Sequence, residues 1–339
     1  MEAKKIRVLI VDDSLVFREV ISMGISSEPY IEVVARAVDP FDARDKILAF
    51  NPDVMICDVQ MPKMNGIEFI KRLLPQYPLP IIVVSSINES LVDAMEAGAV
   101  DFVSKPDVQS TNSVKDFIDT LIEKINTCYG VNVVSGVKKK AVPFNISQHI
   151  NTNKIIAIGA STGGTEAVYN ILKTFPENMP GILIVQHIPP VFSRMFAERL
   201  NNQTKLRVRE AQGGEYVETG KVLIAPGDKH MTIKRIGNKY KVQLFRGEKV
   251  NGHCPSVDVL FESVAKEASK NAIGIILTGM GYDGAKGLRY MRRKGAQTIG
   301  QDEKSSVVYG MPKVAYEIGA VEKQVSLGNI PEVLFGMLR

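Results

Sequence analysis

From residue 7 to residue 125 the chain alternates short unbroken apolar runs with longer stretches whose apolar residues recur every three or four positions. The runs predict strands at Arg7–Val11, Glu32–Ala37, Val54–Cys57, Ile81–Ser85 and Asp101–Val103. The amphipathic stretches between them predict helices at about 15–24, 40–50, 65–73, 88–97 and 112–125. Apolar strands without polar alternation are buried on both faces. Five such βα repeats therefore predict a doubly wound, five-stranded parallel α/β sheet of the flavodoxin-like kind for residues 1–125. From Asn126 to Thr152 the pattern lapses. Gly130, Gly136, Pro143 and three consecutive lysines, without periodicity, predict a linker over 126–152.

The alternation resumes at residue 153. Strands are predicted at Ile155–Gly159, Ile182–Gln186, Lys221–Ile224, Met231–Ile236, Lys239–Phe245 and Ala272–Leu277. Helices are predicted at Thr165–Thr174, around Phe192, Phe196 and Leu200, at Ser256–Ser269 and at Asp283–Lys294. Gly237-Asn238 reads as a hairpin turn between two of the strands. Residues 153–339 thus form a second parallel-sheet α/β domain with a small antiparallel hairpin. No repeat of fixed period is present.

A length of 339 residues suits two domains, and neither needs disulfides to hold a core. Cys57, Cys128 and Cys254 are too few and too scattered for a disulfide framework or a cysteine zinc site. The apolar run Val8–Val11 is too short for a signal sequence, and no run reaches the roughly 18 residues of a membrane span. The expectation is a soluble, cytoplasmic protein with no direct membrane insertion. The net charge of +5 is uneven: residues 1–125 carry 13 basic against 20 acidic side chains, and residues 153–339 carry 26 against 17. An acidic half joined to a basic half points to an intramolecular interface between them, or to an acidic macromolecular substrate. A solvated basic surface with no partner accounts for the same excess.

Polar residues gather where the strands end. Asp12 and Asp13 follow the first strand, Asp58 the third, Ser85 closes the fourth and Lys105 follows the fifth. The carboxyl ends of parallel strands converge on one crevice, and three carboxylates there repel unless a hard divalent cation such as Mg²⁺ neutralises them. Taken alone, Asp12 and Asp13 would instead cap the next helix.

In the second half, Gly159-Ala-Ser-Thr-Gly163 sets Ser161 on a strand-to-helix turn, His187 ends a strand, and Asp283 follows another. Gly-rich turns of this kind also bind phosphates, a lone histidine is commonly core, and a lone aspartate commonly caps a helix. Together the three make a serine hydrolase: Ser161 attacks, His187 takes its proton, and Asp283 orients the imidazole. The order Ser…His…Asp is not that of the α/β-hydrolases. His253 beside Cys254 suggests a thiol mechanism only superficially, since neighbours in one loop meet poorly and Pro255 follows. His230 suits a structural role in its loop better than a place beside the substrate. Four histidines with no i, i+4 pair argue against catalytic zinc, so ester hydrolysis is expected to need no cofactor.

Two resemblances extend these readings. VDDS at 11–14, DVQMPKMNG at 58–66, VVSS at 83–86 and SKP at 104–106 resemble a response-regulator receiver domain. The resemblance implies that Asp58 accepts a phosphoryl group from a chemotaxis histidine kinase. It also implies that Asp12, Asp13 and Asp58 hold Mg²⁺, and that Ser85 and Lys105 contact the phosphoryl oxygens. Phe102 stands where many receivers carry tyrosine. GASTGG at 159–164, QHIPP at 186–190, APGDKHM at 225–231, TGMGYDGA at 278–285 and QDEKSSVVYGMP at 301–312 resemble the chemotaxis-type protein-glutamate methylesterase/protein-glutamine glutaminase (CheB) family. That implies demethylation of glutamyl esters, and deamidation of glutamines, on the cytoplasmic helices of methyl-accepting chemoreceptors. Ser161, His187 and Asp283 would be catalytic, with oxyanion donors near Met280 and Thr162. The resemblance also implies that the unphosphorylated receiver covers the esterase crevice. A nucleic-acid-binding output lacks a helix-turn-helix or zinc pattern, so no nucleic acid is expected. A nucleotide-binding module lacks a complete Walker or Rossmann fingerprint.

Overall fold

The unbroken apolar runs become the buried strands of two parallel sheets. The computed structural model describes residues 4–62, 64–86, 89–106, 111–130 and 150–339. Two units, Met1–Lys138 and Lys139–Arg339, divide the chain.

In the first unit the order is β1 (Ile6–Val11), α1 (Leu15–Ile25), β2 (Ile31–Ala37), α2 (Pro40–Phe50) and β3 (Val54–Asp58), then α3 (Gly66–Leu73), β4 (Ile81–Ser85), α4 (Glu89–Glu96), β5 (Asp101–Ser104) and α5 (Thr111–Cys128). The strands lie β2-β1-β3-β4-β5, all parallel. Strands β3 and β4 are buried at every position, whereas edge strand β2 is partly exposed, as its place in the sheet requires. Helix starts carry side-chain caps: Ser14 for α1, Asp39 for α2 and Asn65 for α3. Helix α5 runs to Cys128, three residues into the segment expected to be linker. Of that segment, residues 131–149 lie outside the described residues.

The second unit holds β6 (Ile155–Ala160), α6 (Gly164–Leu172), β7 (Gly181–Gln186), α7 (Phe192–Gln203), β8 (Arg207–Glu210), β9 (Lys221–Ile224), β10 (His230–Ile236) and β11 (Lys239–Phe245). It continues with α8 (Val257–Glu267), β12 (Ala272–Ile276), α9 (Ala285–Arg293), β13 (Gln297–Gln301), α10 (Met311–Glu317), β14 (Lys323–Val325) and α11 (Ile330–Met337). Seven strands run parallel in the order β14-β13-β12-β6-β7-β9-β8, and β10 and β11 form a separate antiparallel ribbon. From β6 the chain builds one side of the sheet through β7 and later the other through β12, so the strand order reverses at β6. A crevice opens at such a switch point, outside the carboxyl ends of the strands. The core joins sheet, ribbon and helix: Leu183, Leu223, Met231, Val242, Leu260 and Phe261 are all essentially inaccessible. Truncating Phe261 there to alanine would cost about 3–5 kcal/mol. Among the described residues no helix is long and apolar enough to cross a membrane.

Candidate active site and phosphoacceptor site

Because the strands of the first sheet are parallel, their last residues share one edge. Asp58 closes β3 and Ser85 closes β4; Asp12 and Asp13 follow β1, and Lys105 follows β5. Helix α1 is capped by Ser14, whose Oγ accepts the Phe17 N–H at 3.4 Å, so neither aspartate is spent on capping. Asp12 instead accepts the Ser14 N–H on Oδ1 at 2.9 Å. Lys105 Nζ lies 2.8 Å from Asp12 Oδ2 and 3.0 Å from Asp58 Oδ2. Its charge also stands 4.5 Å from the ring centroid of Phe17. Burial pushes the Asp58 carboxyl up, against the pull of Lys105, and Asp12 adds to the rise. Burial alone would lower Lys105, but its hydrogen bond to Asp12 and the charge of Asp58 hold it above the ordinary lysine value. Ser85 is fully buried, and Phe102 is buried on β5. Asp12, Asp13 and Asp58 each offer a carboxylate oxygen within 4.8 Å of the others. An all-oxygen, anionic donor set of this size fits Mg²⁺.

In the second sheet Ser161 follows β6 directly. Its N–H donates to Thr278 O at 3.0 Å, and its carbonyl accepts from Gly164 N and Gln186 Nε2, each at 2.7 Å. The turn into α6 needs Gly163, which sits at φ 72°; a Cβ there would also lie 2.6 Å from Val307. His187 follows β7, and its Nε2 is 2.9 Å from Asp283 Oδ2. His187 Nδ1 is buried and has no hydrogen-bond partner.

Asp283 lies before α9 rather than inside it; its helix was expected to start at Asp283 and begins at Ala285. The reason is local. Asp283 is almost wholly buried and turned to accept hydrogen bonds from across the unit. Besides His187, its donors are Asn251 Nδ2 and Ser256 Oγ, both at 2.8 Å, Val257 N at 2.6 Å and Asp258 N at 3.2 Å. The last two open α8, whose positive end faces the carboxylate. Burial by itself would raise Asp283, but the His187 hydrogen bond and charge, with Asn251 and the Val257 N–H, hold it well below the usual carboxylate range.

Two loops meet beside Ser161. Gly279 O accepts from Gly310 N and Met311 N, so the Met280 N–H of the same trans peptide points to the opposite side. Gly279 packs so closely that a Cβ there would lie 2.8 Å from Ser161 Cβ. Thr278 Oγ1 ties the loops together, donating to Thr162 O at 3.0 Å and accepting from Val308 N at 2.9 Å. Thr162 is buried beneath this contact.

His230 is buried and structural: Ser256 N donates to its Nδ1 at 3.2 Å, and its Nε2 meets Glu248 O at 2.9 Å. Burial and Asp228 push the Cys254 thiol up, the opposite of an activated thiolate. Asn251 and Ser256 were not read from the sequence as site residues, and His253 was weighed only for a thiol mechanism with Cys254, which the sequence reading set aside. His253 stacks on His187, ring centroids 3.7 Å apart and planes 11° from parallel.

Both units match known protein families. A model of the CheB methylesterase family matches residues 156–334, and a response regulator receiver domain model matches residues 8–113. A protein-glutamate methylesterase/protein-glutamine glutaminase of Syntrophomonas wolfei is 53% identical, covering 100% of this chain and 99% of its own. Its counterpart from Salmonella typhimurium is 44% identical, covering 98% of this chain and 97% of its own. The crystal structure of the Thermotoga maritima CheB methylesterase catalytic domain superposes with a TM-score of 0.53 at 38% identity, over 54% of this chain and 98% of that one. Identity of this order along the whole length, through a receiver and then an esterase, places the chain in the CheB family of protein-glutamate methylesterases/protein-glutamine glutaminases.

Proposed function

We propose that this chain hydrolyses glutamyl methyl esters, and deamidates glutamines, on the cytoplasmic helices of methyl-accepting chemoreceptors. A chemotaxis histidine kinase controls it by phosphorylating Asp58. The observation that carries the esterase reading is the pairing of His187 Nε2 with Asp283 at 2.9 Å, which leaves His187 Nδ1 buried and unpaired, while the His187 backbone N–H donates at 3.2 Å to the carbonyl of Ala160, the residue before Ser161. With its proton held on Nε2 by the carboxylate, the neutral imidazole presents Nδ1 as the base. Ser161 Oγ attacks the ester carbonyl carbon, and its proton passes to Nδ1. The tetrahedral oxyanion is stabilised by the Met280 N–H, with Thr162 alongside, and by the N-terminus of α6. Collapse expels methanol, or ammonia from a glutamine, which takes the proton back from His187. Water then repeats the cycle on the acyl-Ser161 ester and releases glutamate.

In the receiver, Asp58 is the nucleophile toward phosphorus, and Mg²⁺ held by Asp12, Asp13 and Asp58 would offset the charge of the incoming phosphoryl group. Lys105 and Ser85 sit at the same edge to meet its oxygens. Residues 1–125 are assigned to the receiver, 126–152 to the linker and 153–339 to the esterase; both family matches fall inside these limits. The opposite charges of the two halves support an inhibitory contact between them. The test is methanol release from methylated receptor membranes, with and without a small phosphodonor and Mg²⁺. Release that rises with phosphodonor is expected, and no release under either condition refutes the reading.

A further inference from the structure

Val191 holds a backbone conformation that β-branched residues avoid. Its φ is 67° and its ψ −50°, and across it the Phe192 N–H donates to Pro190 O at 2.6 Å. This is a γ-turn of the rare, strained hand. Glycine takes such a φ without a Cβ clash, so reversal of the chain alone would favour glycine here. Packing does not account for the valine either, because the residue is 46% exposed. The turn is clamped from outside. Ser193 N donates to Pro189 O at 3.3 Å, while Ser193 Oγ accepts from Gly227 N at 3.1 Å and donates to Glu210 Oε1 at 2.5 Å. Gly227 packs so tightly that a Cβ there would lie 2.2 Å from the Pro189 carbonyl carbon. Strain that the surroundings over-determine in this way clusters at functional sites. The place of the turn agrees, four residues past His187 on the loop that leaves β7. Two other loops at the site also turn apolar side chains to solvent: Val250, beside Asn251, is 37% exposed, and Tyr282, beside Asp283, is 49% exposed.

We propose that Val191 is a specificity-determining residue, whose isopropyl group packs against an apolar side chain one turn away from the glutamyl ester on the chemoreceptor helix. The proposal rests on the serine–histidine–aspartate reading above. A helix with its side chains is about 10–12 Å across, so it rests on the rim of the crevice while a single glutamyl side chain reaches Ser161. Residues three and four positions from that glutamate share its face and meet the rim beside it. A β-branched side chain has little rotamer freedom to lose, so it makes a firm contact for them. The strained backbone of Val191 is what aims that side chain outward instead of into the unit.

The experiment uses the full chain, activated by phosphodonor, with methanol release from methylated receptor membranes as the assay. Parent, Val191→Gly, Val191→Thr and Ser161→Ala are compared for kcat, KM and melting temperature of the esterase unit. Val191→Gly relieves the strain and removes the contact. Its melting temperature is expected to rise by about 2–4 °C, its KM to rise about fivefold, and its kcat to stay within about twofold of the parent. Val191→Thr keeps the branched shape and the backbone but replaces one methyl with a hydroxyl, so a parental melting temperature and a KM raised about two- to threefold are expected. A parental KM in Val191→Gly overturns the proposal. So does a parental KM in Val191→Thr beside a raised one in Val191→Gly, since the backbone rather than the apolar contact would then be what matters. A Val191→Gly variant with lowered kcat and unchanged KM assigns the turn to His187 and not to the substrate, and one that melts lower or fails to fold refutes the strain on which the inference stands. Parental activity in Ser161→Ala would remove the serine reading itself; an inactive Ser161→Ala beside a Val191→Gly with parental KM removes only the role of Val191.

Discussion

Asparagine at position 283 is nearly the same size as aspartate, and hydrogen-bonding geometry alone suggests a mild effect. The five donors around this carboxylate predict otherwise. His187 Nε2 and Val257 N approach Oδ2, while Asn251 Nδ2, Ser256 Oγ and Asp258 N approach Oδ1. An amide keeps one oxygen and replaces the other with an NH₂ donor. If the NH₂ takes the Oδ1 place, it confronts the Asn251 amide and the Asp258 N–H. If it takes the Oδ2 place, only the Val257 N–H is left facing a donor, because His187 can adapt by accepting on Nε2. The cheaper arrangement is therefore the inactive one: it moves the imidazole proton to Nδ1, where it blocks proton transfer from Ser161. Each buried donor without an acceptor costs about 1–3 kcal/mol, and the lost charge weakens the remaining bonds, so Asp283→Asn should destabilise the esterase unit by about 2–4 kcal/mol. In serine triads this inversion of tautomer costs about 10⁴-fold in kcat. Methanol release gives the rate, and nitrogen chemical shifts of the His187 ring report which nitrogen carries the proton. An Asp283→Asn variant within tenfold of parental kcat, or one whose ring still carries its proton on Nε2, would refute the reasoning.

Three further outcomes are expected. Ser161→Ala should lower methanol release about 10⁴-fold or more while leaving the melting temperature nearly unchanged, and a near-parental rate removes Ser161 as the nucleophile. Asp58→Asn should abolish phosphodonor labelling and raise the melting temperature of the receiver at pH 7. Burial and Asp12 lift the native carboxyl above its unfolded value, so the ionised form destabilises the fold, and the difference closes as pH falls into the ordinary carboxylate range. A lower melting temperature at pH 7 would contradict that balance. A fragment beginning at Asn151 should hydrolyse receptor esters faster than the unphosphorylated full chain and ignore phosphodonor; a folded fragment slower than its parent overturns inhibition by the receiver.

Strands with unbroken apolar runs were legible because burial on both faces leaves hydropathy no ambiguity, as in β3, β4 and β7. Strand β13 was not, because its sequence is polar although every position but the first is buried. Gln301 there accepts from Thr278 N at 2.8 Å and donates to Ser305 O at 2.6 Å, and Thr298 donates to Ala320 O at 2.7 Å. Hydrogen bonds across the fold satisfy these groups, and no local pattern announces such partners. Edge strand β8 was hidden by the charged residues that flank Val208 and suit an edge. At the site, Ser161, His187 and Asp283 stood out because each follows a recognisable strand. Asn251, His253 and Ser256 come from a loop and reach Asp283 and His187 only through the tertiary fold.

The two buried aspartates, Asp58 at the end of β3 and Asp283 before α9, have opposite environments that suit the opposite roles proposed for them. Asp58 sits where burial and the neighbouring Asp12 disfavour its charge, with Lys105 as the cation that offsets them. A carboxylate so placed keeps reactive lone pairs, and a bond from one oxygen to phosphorus changes a charge balance already under strain. Asp283 is the reverse. Five donors surround its oxygens, and the His187 hydrogen bond and charge with Asn251 and the Val257 N–H hold it well below the usual carboxylate range, which in the proposed mechanism suits an acid that orients His187 without taking its proton. Exchange of environments would disable both: a saturated Asp58 would be a poor nucleophile, and an undersatisfied Asp283 would compete with His187 Nε2 for the proton they share. The donor shell, rather than the identity of the residue, divides the labour between the two.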